Sequence, residues 1–265
     1  MKRLMIAAAA LLTCACTPPA TEEVTENPAE PALPGVTLPV ADQAGNRMEE
    51  LTQNGGRWCT ADGAWCATPD TVSVALTHNG ESAGTIAIGE PQEGQSTMFW
   101  PVIVRVGRND ESALLGVSSA TSTMYSGGGG NASQLVLYSV EAGVVHEAVR
   151  MPLSASSTVR ACFDEGDEAQ RAGACHDEYR FVTRISLDEG VAEGAPRIML
   201  ETAAGSYPGR VTRDADSLEA PALTEADLVW AQDPICSYRR TYSRGADGLY
   251  VPDQPLPPCS DYLEP

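Results

Sequence analysis

Apolar residues in this chain recur mainly at every second position, the spacing that buries one face of an extended strand. Val72, Val74 and Leu76 alternate with Ser73 and Ala75, and Ile86 and Ile88 alternate with Thr85 and Ala87. Val102, Val104 and Val106 share one face, with Arg105 on the other. Tyr179, Phe181, Thr183, Ile185 and Leu187 alternate with Arg180, Val182, Arg184 and Ser186. Gln134 to Val140 is apolar enough for a strand buried on both faces. Shorter strands are expected at 113–118, 144–149, 158–163, 198–202 and 235–244.

Helical spacing is nearly absent. Asn46 to Gln53 predicts a short helix capped by Asn46, with Met48 and Leu51 on one side. Thr224 to Trp230 predicts a second, opened by the cap pair Thr224 and Asp227. Repeated short strands punctuated by Gly, Pro and Asp specify an all-β domain, a two-sheet sandwich or an open barrel with a few short helices.

The first 45 residues break this pattern. Lys2 and Arg3 precede an apolar run from Leu4 to Leu12, far short of the roughly 20 residues that span a bilayer. A basic start, a brief apolar run and small residues at the break mark a cleaved secretory signal. The break, Leu11-Leu12-Thr13-Cys14-Ala15-Cys16, resembles a bacterial lipobox. That resemblance implies lipidation of the new N-terminal cysteine: Cys16, which follows the small Ala15, with Cys14 as second choice. No Asp follows either cysteine, which in lipoproteins of this kind implies an outer-membrane anchor, here on the periplasmic face. Residues 1–15 are then a signal peptide and 16–45 a Pro/Glu-rich stalk whose composition cannot offset its ordering entropy. Residues 46–265 form a single domain.

Charge and cysteine usage narrow the function. Acids number 36 against 17 bases, a net charge of −19, which disfavours nucleic acid and other polyanions as partners. The sole lysine, Lys2, lies in the signal, so Schiff-base lysines and Walker-type nucleotide sites are excluded. Six of the eight cysteines lie beyond the signal, in three close pairs. In an exported chain they favour the disulfides Cys59–Cys66, Cys162–Cys175 and Cys236–Cys259 over zinc, for which no CxxC spacing exists. Asp62-Gly63 is a hairpin turn that sets the first pair opposite each other, flanked by Trp58 and Trp65.

The stretch from 113 to 140, ALLGVSSATSTMYSGGGGNASQLVLYSV, looks like one blade of the FG-GAP/VCBS propeller class. That likeness implies an irregular or incomplete β-propeller as the alternative architecture. A closed propeller needs roughly sixteen strands, more than the pattern supplies, and the calcium loop of that class is missing.

Candidate chemistry is sparse. Gly127 to Gly130 reads as a hairpin tip, because no Gly-Lys-Ser/Thr follows it. Asp164, Glu165, Asp167 and Glu168 form an acidic turn with enough oxygens for calcium as a secondary reading. Tyr238, Arg240, Tyr242 and Arg244 fall on one side of a strand, and forked guanidinium donors beside flat aromatic rings can grip carboxylates or sugars. They are the first choice for a binding face. The expected role is binding or structural, in the cell envelope, without a cofactor. Its partners are outer-membrane lipid through the anchor and an envelope protein or glycan. The alternative is an envelope hydrolase whose Ser, acid and one of His78, His146 and His176 meet only in the fold.

Overall fold

A computed structural model describes residues 29–263 apart from Pro91 and Asp214. The expected signal, Cys14, Cys16 and the first part of the expected stalk lie outside the described residues. In chain order the first strands are β1 (Val40–Ala41), β2 (Arg47–Glu50), β3 (Thr52–Asn54), β4 (Arg57–Cys59), β5 (Trp65–Pro69), β6 (Ser73–His78) and β7 (Glu81–Ala87). The long strands follow: β8 (Gln95–Val106), β9 (Ser112–Tyr125), β10 (Gly128–Glu141) and β11 (Val144–Arg160). A short helix, α1 (Glu165–Gln170), precedes β12 (His176–Leu187) and β13 (Ile198–Tyr207). The chain ends with β14 (Ala231–Gln232), β15 (Arg239–Arg244), β16 (Tyr250–Pro252) and α2 (Ser260–Leu263).

The domain is all-β, as the alternation predicts. Strands β3 to β7 form a five-stranded meander. The others form an eleven-stranded sheet in the order β1-β2-β8-β9-β10-β11-β12-β13-β15-β16, with β14 attached to β13. Pairing is antiparallel, and β2 meets β8 from Arg47 opposite Arg105 to Glu50 opposite Val102. The small sheet is thus an excursion between two strands that lie side by side. Register shifts at Trp100/Ile103, Ser133/Gln134 and Leu137/Tyr138 let the long strands bend. The large sheet curls without closing, so the architecture is sandwich-like and open. Residues 113–140 form the long β9–β10 hairpin inside one continuous sheet, which replaces the propeller alternative.

Strict alternation divides the central strands between two cores. Val102, Val104, Leu114, Leu135 and Leu137 face the concave side with Ile185, Leu187, Ile198, Leu200 and Tyr242. Ile103, Ala113, Leu115, Val117 and Val140 face the small sheet, meeting Trp65, Val74, Leu76 and Ile86. A third cluster closes one end of the concave side. Ala155, Phe181 and Ala204 lie in one cross-strand row under Cys236, Cys259, Tyr262 and Leu263. All three disulfides pair as expected, Cys59–Cys66, Cys162–Cys175 and Cys236–Cys259. The first closes the Asp62-Gly63 turn, where Gly63 adopts φ +73°, a region costly for other residues.

Three local expectations are corrected. Asn46 to Gln53 is not helical: Met48 points into the concave core and Leu51 into the core under the small sheet, so two different interiors claim residues that one helix face would have shared. Asn46, fully buried, is held by Asp42 and accepts from the Gly107 amide at 2.8 Å instead of capping a helix. Thr224 and Asp227 do form their cap, with both Thr224 donors 2.8 Å from Asp227 Oδ2, but it opens only a 3₁₀ turn at Glu225–Asp227. The latter part of the expected stalk, from Ala29, lies along the body. Glu30 pairs with Arg180 at 3.6 Å, Arg184 donates to the Pro34 carbonyl, and Leu38 and Val40 pack on the concave core. Among the described residues no helix is long and apolar enough to cross a membrane.

The C-terminal plug is the expected weak point of the fold. Loop-closure entropy for the 23-residue separation of Cys236 and Cys259 gives about 3 kcal/mol. The Cys236→Ser/Cys259→Ser double variant is therefore expected to lose that amount in urea unfolding. Phe181→Ala, which empties the row beneath, is expected to lose about 3–5 kcal/mol.

Candidate functional site

The face expected on β15 exists, with Tyr242 turned inward, Tyr238 and Arg240 half-buried and Arg244 exposed. Tyr242 is 2% exposed in the concave core, and burial pushes its phenol up to about 12. Arg240 lies 5.2 Å over the Tyr238 ring and donates to the Pro255 and Arg239 carbonyls. Arg244 pairs with Glu141 at 2.7 Å. Tyr238, Arg240, Tyr242 and Arg244 therefore brace the sheet edge. Strand parity shows which residues share a side, and only the curl of the sheet decides that this side is the interior.

Other candidates serve local structure. Asp164 Oδ1 accepts from the Gly166 and Asp167 amides and caps α1, while Asp167 accepts from the Phe163 amide at 2.8 Å. Asp164, Glu165, Asp167 and Glu168 form a capped turn at the start of α1, and among the described residues no three His, Cys, Asp or Glu side chains converge as metal ligands. Trp65 is buried and stacks on His78 at 4.3 Å, and Trp58 sits against Phe99, leaving no open tryptophan platform. His78 contacts Asn79, His146 lies beside Gly248, and His176 is exposed at the start of β12. Among the described residues no histidine is hydrogen-bonded to a serine or a carboxylate.

What the fold does assemble is a cleft at the far end of β11, β12 and β13. Two adjoining hollows lie on the Tyr179 face of the sheet, and strand pairing puts a third on the opposite face. The first, about 460 Å³, is bounded by Arg210, Arg213, Tyr179 and the C-terminal plug at Tyr262. The second, about 380 Å³, shares Tyr179 and Arg213 with the first and is bounded beyond by Arg160 and Phe163. The third, about 540 Å³, shares Arg160 and runs over Gly128 to Gly130 between Met124 and His176. Two guanidinium–ring contacts line these hollows, Arg213 over Tyr179 at 5.6 Å and Arg160 over Phe163 at 5.0 Å.

Neighbouring structure fixes these walls. Gln170, at the end of α1, donates to the Leu218 and Ala220 carbonyls at 3.1 Å and accepts from the Leu223 amide, which ties the 209–223 loop to α1. Arg171 and Asp177 pair in the interior behind the second hollow, and Ser217 donates to the same carboxylate. Burial pushes the Asp177 carboxyl above the ordinary range, with Ser217 and Arg171 opposing. Arg213 donates to Ser157 Oγ at 2.8 Å. Arg160 donates to the Cys162 carbonyl at 2.7 Å, and among the described residues it pairs with no carboxylate. Gly128 forms part of the trough floor because a Cβ there would fall 1.9 Å from the Thr158 carbonyl oxygen.

Sequence reasoning missed this cleft. It weighted the dense local run 238–244, whereas the cleft draws Arg160 from one strand end and Arg210 and Arg213 from a distant loop. The only available signal was the pair of arginines three apart in Gly209-Arg210-Val211-Thr212-Arg213.

A second charge cluster is structural. Arg105, buried between the sheets, donates to Asp110, to Asp62 at 2.7 Å and to Glu49 at 3.1 Å. Burial opposes its charge, but the hydrogen bonds to Asp110, Asp62 and Glu49 prevail and raise its pKa. The Thr60 hydroxyl, with burial opposing and Arg105 assisting, holds the Asp62 carboxyl below its ordinary 3.8. Glu201, held by Arg239 and Arg184 against burial, is also lowered, from 4.5. Compared with protein-family models, with curated proteins and with solved structures, the chain matches none.

Carboxylates with depressed folded-state pKa values stabilise the fold above their unfolded values and lose that contribution as pH falls. Asp62 and Glu201 therefore predict a urea midpoint that falls as pH drops below about 4, with Asp177, shifted the other way, opposing in part. Asp62→Asn is expected to lower the midpoint at pH 7 and to flatten its acid limb.

Proposed function

We propose that this protein is an envelope lipoprotein whose β domain is a binding module, with the arginine–aromatic cleft at the end of β11–β13 as its binding surface. The observation that carries this reading is the cleft itself. In a chain of net charge −19, Arg210 and Arg213 line one hollow with Tyr179 and Tyr262, and Arg160 and Arg213 line the adjoining one with Phe163 and Tyr179, among the acids Asp233, Asp177 and Asp216. Guanidinium forks and flat rings supply orientation and apolar area, the two requirements of a site for a polar organic ligand.

The lipobox-like segment supports the location. Acylation of Cys16 would tether the chain to the outer membrane, facing the periplasm. The described chain begins at Ala29 against β12, where Glu30 pairs with Arg180 at 3.6 Å.

Two measurements test the proposal on the full chain. Cys16→Ser is expected to abolish palmitate labelling and release the protein from the membrane fraction, whereas Cys14→Ser leaves both unchanged. An unmodified N-terminus by mass analysis would discard the anchor. For the cleft, phenylglyoxal modification is followed residue by residue. Envelope extract is expected to protect Arg160 and Arg210 but not Arg57 or Arg108, and equal modification with and without extract overturns the assignment.

A further inference from the structure

We infer that a second copy of this chain adds to the large sheet along the first half of β8, strand against strand about a two-fold axis at Thr97. Strand β8 runs from Gln95 to Val106 with β9 along one side, but on its other side β2 covers only Val102 to Arg105. The Leu51 amide makes the last bond on that side, to the Pro101 carbonyl at 2.9 Å, and the chain then turns into the small sheet as β3. Residues Gln95 to Trp100 are left with a strand neighbour on one side only.

The hydrogen-bond pattern identifies the open groups. The Ser122 amide donates to the Gly94 carbonyl at 2.7 Å, so Gly94 faces β9, and Gln95 faces away, its amide donating to the Gln92 carbonyl at 3.0 Å. Antiparallel alternation then turns the main-chain N–H and C=O of Thr97 and Phe99 outward as well. Among the described residues no hydrogen bond reaches them.

Proteins blunt such edges with charge, proline, bulges, shortness or cover. The other free edges here follow that rule. Strands β1, β3 and β16 are two or three residues long. The first part of β11 carries Glu147, Arg150 and Pro152 beside two register shifts. Beyond Val182, β12 borders Pro31 to Val36, and Arg184 holds the Pro34 carbonyl. The β8 edge has no such protection. Gly94 to Val104 carry no charge in a chain of net charge −19, Gln95 to Met98 are exposed, and Met98 is 65% exposed.

Self-complementarity selects a second copy as the occupant. The open stretch is bounded by the turn at Gln92–Gln95 and by Leu51 at Pro101, so a strand of the same few residues fits and a longer one meets Leu51. With two copies antiparallel about Thr97, each Thr97 exchanges both of its groups with its counterpart. Each Phe99 amide meets the Gln95 carbonyl of the other copy, the Gln95 group not already bound. Side chains agree with this register. Thr97 faces Thr97, Gln95 faces Phe99, Met98 covers Ser96, and none of the paired positions is charged. A contact of this size belongs to the transient class in solution, and anchoring both copies to one membrane would raise their effective concentration.

Cross-linking and sedimentation of the full chain test the pairing. The six cysteines of the domain are joined in disulfides, so Thr97→Cys adds a single free thiol to it. In envelope preparations a short bis-maleimide is expected to link Thr97→Cys into a species of twice the chain mass. Ser243→Cys, exposed on β15 toward the other end of the sheet, is expected to stay monomeric. Thr97→Pro removes only an outward N–H, and Thr97→Arg sets two like charges face to face. Each is expected to weaken dimerisation of the detergent-solubilised chain by at least about tenfold, with urea unfolding of Thr97→Arg unchanged. Absence of the linked species, equal linking of Ser243→Cys, or a link to a different polypeptide each overturns the self-pairing. Undiminished dimerisation of Thr97→Arg overturns it as well.

Discussion

Ile103 and Val104 are neighbours in the chain and belong to different cores, and the same division runs through Ala113 and Leu114 and through the apolar positions of β10. Strands β8, β9 and β10 therefore have no solvent face along their middle stretch. A one-residue slip in any of them would exchange the two sets, placing residues selected for the small sheet against the concave core and the reverse. This double burial fixes register for the whole large sheet, because every other strand is aligned from these three by antiparallel pairing. It also explains the Arg105 cluster. Position 105 faces the small sheet on the parity of Ile103, at the margin where apolar packing ends, and three carboxylates from β2, the Cys59–Cys66 turn and the β8–β9 turn close on it. One guanidinium thus ties three separate segments together, which favours a single alignment of the two sheets.

At the opposite end of β11–β13 the apolar supply fails, and covalent and polar bracing takes over. The residues there are small, Ala132, Ala155 and Ala204 around the single large Phe181. The chain fills the space with its own C-terminus, fastened by Cys236–Cys259, and hangs a second stapled loop beside it through Cys162–Cys175. Constraining a loop stabilises chiefly by restricting the unfolded chain, which suits segments with little surface to bury. The buried Arg171–Asp177 pair fits the same economy of apolar material. Its desolvation makes it weak as a source of stability, but it fixes where the loop wall stands. A cleft with walls set by staples and ion pairs can remain open, whereas one lined only by aliphatic side chains would collapse on itself.

The features legible in the sequence were those whose signal is local. Alternation at 102–106, 134–140 and 179–187 marked strands because period 2 is a property of consecutive residues. Cysteine spacing marked the three staples because each closes a short segment. The failures share one cause as well. Asn46 to Gln53 carries a helix-like spacing only because Met48 and Leu51 serve two interiors on opposite sides of one sheet, a fact that depends on β8 arriving from 50 residues away. Residues 29–45 lack the composition of a folded segment and yet lie on the body, since the groove beside Trp100, Leu153 and Ile185 accepts an extended Pro-rich strand at little entropic cost. The Tyr238 to Arg244 run read as an open face because nothing in consecutive residues reports which side of a strand is concave.

The same reasoning locates where binding chemistry can sit in so acidic a molecule. A dense basic run is visible in sequence but is readily neutralised by its own surroundings, as Arg239 by Glu201 and Arg244 by Glu141. Arginines held apart in sequence and brought together by the fold escape that fate only if nearby main-chain carbonyls and rings, not carboxylates, satisfy part of each guanidinium. Arg160 meets that condition through the Cys162 carbonyl and the Phe163 ring. Its position is set by the end of β11 and by the disulfide that begins two residues later, so the guanidinium is placed by the most rigid feature of that end of the domain. Rigid placement lowers the entropy lost on binding, so a guanidinium held this way would need little further ordering to take a ligand at the proposed cleft.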